Sequence, residues 1–140
     1  MSKYNSKKIT LDGICFDSKD EAEYYKYLLQ RKAKEEILNF ELQPTYELIP
    51  KFKKDGKSYR AMTYTPDYLI YHLDDSLELI DVKGFSTQQG DIRKKLFNYK
   101  YPDLKLTWIA RSLKFGEDGW IEYEDLKKKR RENKKNGTNS

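Results

Sequence analysis

Apolar residues return at three- and four-residue intervals along Ala22, Tyr25, Leu28, Leu29 and Ala33, with charged residues between them. That spacing draws one apolar stripe down a helix, which packs on a sheet. The helix should open at Ser18, because Ser18 followed three positions later by Glu21 can close a first helical turn, and it should end around 34–36. Ahead of it, residues 9–16 read as a short arm or strand.

Beyond residue 36 the period shortens to two. Phe40, Leu42, Tyr46 and Leu48 alternate with polar neighbours, and Pro44 marks a bulge or a sheet edge. Asp55-Gly56, between 51–53 and 58–60, predicts a tight hairpin. Two strands follow, 64–73 and 77–83, separated only by Asp74-Asp75-Ser76, a link so short that they must be antiparallel neighbours. Their apolar residues fall on both parities, Leu69 and Tyr71 against Tyr68 and Ile70, then Leu77 and Leu79 against Ile80 and Val82. Interior strands covered on both faces read this way. Residues 84–90 read as a loop and 91–101 as a second helix stopped by Pro102; 104–110, with Leu106, Trp108 and Ala110 alternating, is a last core strand.

The elements run αβββαβ, which predicts an α/β (α+β) fold with a central mixed sheet flanked by helices. One domain is expected, with an N-terminal arm over 1–15, a core over 16–116 and a basic C-terminal extension over 117–140. In the extension a short strand or turn at 120–123 precedes a helix, and the tail 133–140 should be disordered.

Although 36% of the chain is charged, 12 Tyr and 6 Phe among 140 residues supply enough buriable area for a core. The net charge of +5 suits a polyanionic partner but serves solubility equally well. Cys15 and His72 are the only residues of their types, which excludes an intrachain disulfide and zinc sites built from several such ligands; any metal must be held by oxygen. Cys15 is expected to be a buried or half-buried apolar residue, and His72, of opposite parity to Asp67, to face away from it. No apolar run approaches the roughly 20 residues of a membrane span, and residues 1–8 are polar with no hydrophobic signal region behind them, so a cytoplasmic protein is expected.

Candidate chemistry gathers at the central hairpin. Asp67 stands at the start of one interior strand, and Asp81 and Lys83 at the end of the next, so all three reach one end of the sheet. Asp81 and Lys83 project from one face; Asp67 joins them if paired residue numbers add to an even total and is separated if the total is odd. Two carboxylates and an ammonium within apolar strands are costly to bury unless compensated. Compensation could come from a salt bridge of Lys83 to either Asp, or from the solvated end of a strand. It could equally come from a hard cation, Mg²⁺ or Mn²⁺, held by carboxylates and a backbone carbonyl such as that of Val82.

Thr65-Pro66-Asp67-Tyr68-Leu69-Ile70, followed fourteen positions after Asp67 by Ile80-Asp81-Val82-Lys83-Gly84, resembles the PD-(D/E)XK nuclease signature, on the αβββαβ order that superfamily uses. The resemblance spans about Phe16 to Ala110. Within the superfamily the chain is most similar to small phage and prophage endonucleases, including the phage endonuclease I type of Holliday-junction resolvase, whose Ser-x-x-Glu helix start and Thr-Pro-Asp strand recur here. The resemblance implies a restriction-endonuclease-like core and a Mg²⁺-dependent DNA endonuclease, with Mn²⁺ substituting, that cuts branched or structured DNA in a phage or prophage setting. It also implies a homodimer, since paired nicks in a symmetric junction need two active sites. By the same resemblance Glu21, Asp67, Asp81 and Lys83 are catalytic. Asp67, Asp81 and the Val82 carbonyl hold the metal, Glu21 binds it directly or through an intermediary, and Lys83 orients water or steadies the phosphorane charge. The alternative is a nuclease-fold DNA-binding subunit that does not cut by itself, working in recombination, packaging or transposition.

Several of these residues have a second reading. Glu21 is a ligand by the resemblance, yet Ser18-x-x-Glu21 is also a capping box; Glu23 ranks behind it. Gln43 either faces the site or is a plain strand hydrogen-bonder. Arg93, Lys94 and Lys95 suit backbone phosphate contacts or simply form a solvated helix face, and Lys127, Lys128, Lys129, Arg130 and Arg131 supply non-specific DNA affinity or solubility.

Overall fold

The structure is a computed structural model and describes residues 8–137, with side chains to 135. In chain order the elements are β1 (Ile9–Leu11), β2 (Ile14–Phe16), α1 (Lys19–Ala33), β3 (Ile37–Leu42), β4 (Tyr46–Ile49), β5 (Phe52–Lys54), β6 (Lys57–Tyr59), β7 (Met62–Tyr64), β8 (Tyr68–His72), β9 (Leu77–Val82), α2 (Gln88–Lys100), β10 (Lys105–Arg111), β11 (Trp120–Glu122) and α3 (Tyr123–Gly137). Five strands make one mixed sheet in the order β11-β10-β9-β8-β3. With α1 ahead of them, the sheet strands and α2 give the predicted αβββαβ order, to which β11 is added. Among the described residues no helix is long and apolar enough to cross a membrane.

Two compact units are present. The first holds the described residues up to Glu36, Val82–Gly84 and those from Trp108 on; the second holds Ile37–Asp81 and Phe85–Thr107.

In the first unit the expected arm is a hairpin. β1 and β2 pair antiparallel around Asp12-Gly13, whose φ angles of 54° and 77° make a two-residue turn with both central residues left-handed. Cys15, on β2, is exposed rather than buried. α1 starts as its sequence predicts, with the Ser18 side chain accepting from the Glu21 N–H at 3.1 Å. Its buried residues are Ala22, Tyr24, Tyr25 and Leu28, whereas Leu29 and Ala33, expected in the stripe, are exposed. The stripe turns toward Tyr24 because Trp120 of β11 offers it an edge-on aromatic partner, 4.8 Å between ring centroids. β10 and β11 pair antiparallel, with Ala110 opposite Ile121. In the link between them Gly116 is obligatory: a Cβ there would stand 2.5 Å from the Ser112 carbonyl oxygen. α3 buries Tyr123 and Leu126 and continues to Gly137, so residues 133–137, expected to be disordered, are helical. Residues 138–140 of that tail, and 1–7 of the arm, lie outside the described residues.

The second unit is built on β3, β8 and β9, all antiparallel neighbours. β8 and β9 are buried on both faces, as their double apolar parity predicts: Tyr68, Ile70 and Ile80 on one side, Leu69 and Leu79 on the other. Leu69 and Leu79 join Leu48, Tyr64 and Phe97 in a core that brings together β4, β7 and α2. α2 begins at Gln88, three residues before the predicted start, because Thr87 caps it by accepting from the Gly90 N–H at 3.0 Å. β5 and β6 form the hairpin expected at Asp55-Gly56.

Candidate functional site

The β8–β9 hairpin pairs Tyr68 with Ile80 and Leu69 with Leu79, so partner numbers add to an even total. One step further along the same register, Asp67 stands opposite Asp81. On the other side of β8, Leu42 pairs with Tyr68, and the ladder runs on through the Gln43 N–H, which donates to the Asp67 carbonyl at 2.9 Å. Gln43 and Asp67, each one residue outside its strand, thus extend the line that Asp81 occupies near the end of β9, and Gln43 leaves regular strand geometry at φ 50°. The Gln43 side chain is exposed, Asp67 is half-buried, and Asp81 is only 6% exposed.

Like charges directly opposite on antiparallel strands repel, and burial of one of them adds a desolvation cost. Part of the compensation is visible. The Tyr64 hydroxyl donates a 2.6 Å hydrogen bond to Asp81 Oδ2. Tyr64 is itself fixed in the core, its ring 5.6 Å from that of Phe97. A bond of this length holds one carboxylate oxygen in place.

As a donor set, two facing carboxylates fit a hard cation. Among the described residues no three His, Cys, Asp or Glu side chains gather into one group that would form a cage of side chains alone. Mg²⁺ does not require one: it keeps several waters and is commonly bound by one or two carboxylates together with substrate phosphate.

Lys83 and Glu21 belong to the first unit. The Lys83 backbone N–H donates to the Ile109 carbonyl at 2.7 Å, and its ammonium lies over the Trp108 ring, 4.7 Å from the centroid. The aromatic face thus gives the end of the long side chain a place to rest. Glu21 Oε2 accepts from the Asp17 N–H at 3.2 Å, so the carboxylate closes the start of α1. Glu23 forms ion pairs with Lys26 at 3.5 Å and Arg111 at 3.7 Å.

Residues 1–117 match a domain family described as a protein of unknown function, DUF1064. The chain belongs to that family. No curated protein and no solved structure matches it.

The remaining candidates in this family member are dispersed. Arg93 is tied to the backbone of β7 by its Nε donating to the Thr63 carbonyl at 3.3 Å, Lys94 is half-buried and Lys95 exposed. On α3, Lys127 pairs with Glu124 at 3.3 Å and lies over Tyr123, while Lys128, Lys129, Arg130 and Arg131 are exposed. His72 is taken up by Glu78, with Nε2 2.8 Å from Oε1. Burial would raise the Glu78 pKa, but hydrogen bonds from Thr107 (2.5 Å) and His72 and the charge of Lys105 outweigh it and hold the carboxyl below its ordinary range.

Tyr64 was not singled out by its sequence. It lies in a strand separated from β8 by Thr65-Pro66-Asp67, so alternation along one strand gives no parity that would aim its hydroxyl at Asp81. The only signal is its place three residues before Asp67.

Proposed function

We propose that the chain is a metal-dependent DNA endonuclease that hydrolyses phosphodiester bonds in branched or structured DNA. The observation that carries this reading is the row in which Asp67 faces Asp81, with Asp81 buried yet held by Tyr64. A carboxylate pair kept in apolar surroundings destabilises a fold that never binds a cation, and is compensated in one that does. The resemblance of the Pro66-Asp67 and Asp81-Val82-Lys83 segments to the PD-(D/E)XK signature supplies the reaction class.

In this reading Asp67, Asp81 and the Val82 carbonyl would hold Mg²⁺ or Mn²⁺. A divalent ion in such a place supplies Lewis acidity and neutralises phosphate charge. The chain's own residues do the rest. Tyr64 fixes the orientation of Asp81, and by the resemblance Lys83, whose ammonium rests over the Trp108 ring, would offer positive charge to the scissile phosphate as negative charge builds on it. Glu21 serves first as the closure of α1 and is a candidate ligand by the resemblance alone. A homodimer acting in the cytoplasm of a phage's bacterial host belongs to the same reading.

The test is to incubate wild type and Asp81→Asn with four-way junction, flap, duplex and single-stranded DNA in Mg²⁺, Mn²⁺ or EDTA. Metal-dependent nicking that disappears in the variant is expected. Binding without nicking in any metal would favour the non-cutting subunit, and equal nicking by the variant would overturn the assignment of Asp81.

A further inference from the structure

From Pro50 to Ala61 every residue is exposed, and this stretch contains the two-stranded ribbon of β5 and β6. Within it stand Lys51, Lys53, Lys54, Lys57 and Arg60 against a single acid, Asp55, at the turn. None of the five cations takes part in an ion pair among the described residues. The register sets Lys54 directly opposite Lys57, a like-charge pair that weakens the hairpin carrying it. Charge that only kept the ribbon soluble would cost the hairpin less as Lys opposite Glu.

Two features make this a built arm. Phe52 pairs with Tyr59, and their rings stack 4.7 Å apart at 8°, clamping two strands that have little else to hold them. Alternation then distributes the cations over both faces: Lys54 and Lys57 share the face of the aromatic pair, while Lys53 lies on the other, with Lys51 and Arg60 one step beyond it in the same register. A platform for single-stranded bases would gather cations and open rings on one face. Here the rings are stacked on each other and the cations look both ways.

We infer that the β5–β6 ribbon is a duplex-DNA-binding arm that enters the major groove, where both walls are lined by phosphates. The major groove admits a two-stranded ribbon, and cations on each face would meet one wall apiece. The polyanionic partner is taken from the endonuclease reading, but the arm's contribution is to binding and does not depend on cleavage. It fixes where the duplex flanking a branch would be gripped, and nothing in its register selects a base sequence.

The experiment titrates wild type and the triple variant Lys53→Gln, Lys54→Gln, Lys57→Gln against a labelled random-sequence duplex several helical turns long, in EDTA, across a KCl series, read by anisotropy. Circular dichroism melts should show no loss of stability in the variant, since the substituted side chains are exposed and the Lys54–Lys57 repulsion is relieved. The variant should bind duplex at least about tenfold more weakly at low salt, and the slope of log affinity against log salt should become shallower by roughly two to three, near 0.9 per lost phosphate contact. A second variant, Phe52→Ser with Tyr59→Ser, keeps every charge but releases the clamp; it should weaken duplex binding with the cations still present. Unchanged affinity and slope in the triple variant overturns the inference. So does a loss larger for single-stranded DNA, for RNA or for anionic phosphatidylserine vesicles than for duplex. Wild type that binds duplex through the ribbon but cuts nothing in Mg²⁺ or Mn²⁺ overturns the endonuclease reading alone. Wild type that cuts while the triple variant binds normally overturns the ribbon alone.

Discussion

The hydroxyl of Tyr64 donates to Asp81 across 2.6 Å, joining a residue of the apolar core to the buried carboxylate at the end of β9. The bond decides which way Asp81 points. A carboxylate at this depth would otherwise be free to turn toward whatever polar group relieved it, and a ligand that turns cannot keep a coordination geometry. The ring of Tyr64 lies against Phe97 of α2, so the orientation of Asp81 is set by packing in the second unit.

Tyr64→Phe should therefore leave the core filled and remove only the donor. Two effects are expected: a loss of about 1–3 kcal/mol in stability, the usual range for taking a partner from a buried charged acceptor, and Mg²⁺ affinity weaker by about tenfold or more, as for other residues that orient a metal ligand. Urea unfolding and Mg²⁺-dependent nicking measured against metal concentration check both. Unchanged metal dependence alongside lost stability would confine Tyr64 to a structural part.

Asp67 faces Asp81 in the register, so their repulsion should be measurable without metal. Asp67→Asn is expected to raise stability in EDTA by about 0.2–1 kcal/mol, the range for relieving an opposed like-charge pair. Wild type should then gain on addition of Mg²⁺, by about 2.7 kcal/mol at a concentration one hundred times Kd, and the variant should gain much less. Thermal melts with and without Mg²⁺ give the comparison; identical metal-induced shifts in both proteins would remove Asp67 from the site.

How far the sequence could be read depended on whether a feature was local. The hairpin of β8 and β9 and its double-sided burial follow from alternation and a three-residue link, all contained within residues 64–83, whereas alternation leaves the parity of the register open. The turn at Asp12-Gly13 is just as local, carries the same residue pair as Asp55-Gly56 and has Ile9, Leu11, Ile14 and Phe16 around it, so the hairpin goes beyond the arm or strand expected over 9–16 although its signal is in the sequence. What resisted reading came from contacts between distant segments. Tyr24 is buried because of Trp120, and Asp81 is oriented by a tyrosine from a different strand pair. Helical periodicity over 22–33 offers Leu29 and Tyr24 almost equally, and only a partner some hundred residues away chooses between them.

Lys83 tests the electrostatic part of the proposal. Its ammonium already has an aromatic face to rest on, so Lys83→Met, which keeps the stem's length and contact with Trp108, should fold normally. Nicking should fall by about 10²–10³, the scale for removing one transition-state charge stabiliser, with DNA binding in EDTA little changed. A fall in binding that matches the fall in nicking would make Lys83 a substrate contact rather than a group that acts on the reacting phosphate.

For Glu21 the bond to the Asp17 N–H separates two roles. Glu21→Gln keeps an oxygen acceptor there and should retain both stability and most of the nicking activity, while Glu21→Ala should lose about 0.5–2 kcal/mol, as caps do. A loss of nicking in the Gln variant as large as that of Asp81→Asn would put Glu21 among the metal ligands.

Glu78 gives a pH dependence whose sign can be worked out. Burial acts to raise its pKa, and the hydrogen bonds from Thr107 and His72 with the charge of Lys105 bring it below the ordinary value. The unfolded chain then binds the proton more tightly than the folded one. The carboxylate's contribution to stability is complete above the unfolded pKa and disappears as pH falls through the folded pKa. Glu78→Gln should consequently be less stable than wild type near about pH 7, by roughly 1–3 kcal/mol for a charged acceptor with several donors, and the two should converge as pH drops to about 3 and below. Urea midpoints across that range check it: a constant difference at every pH would mean that Glu78 contributes through packing and not through its charge.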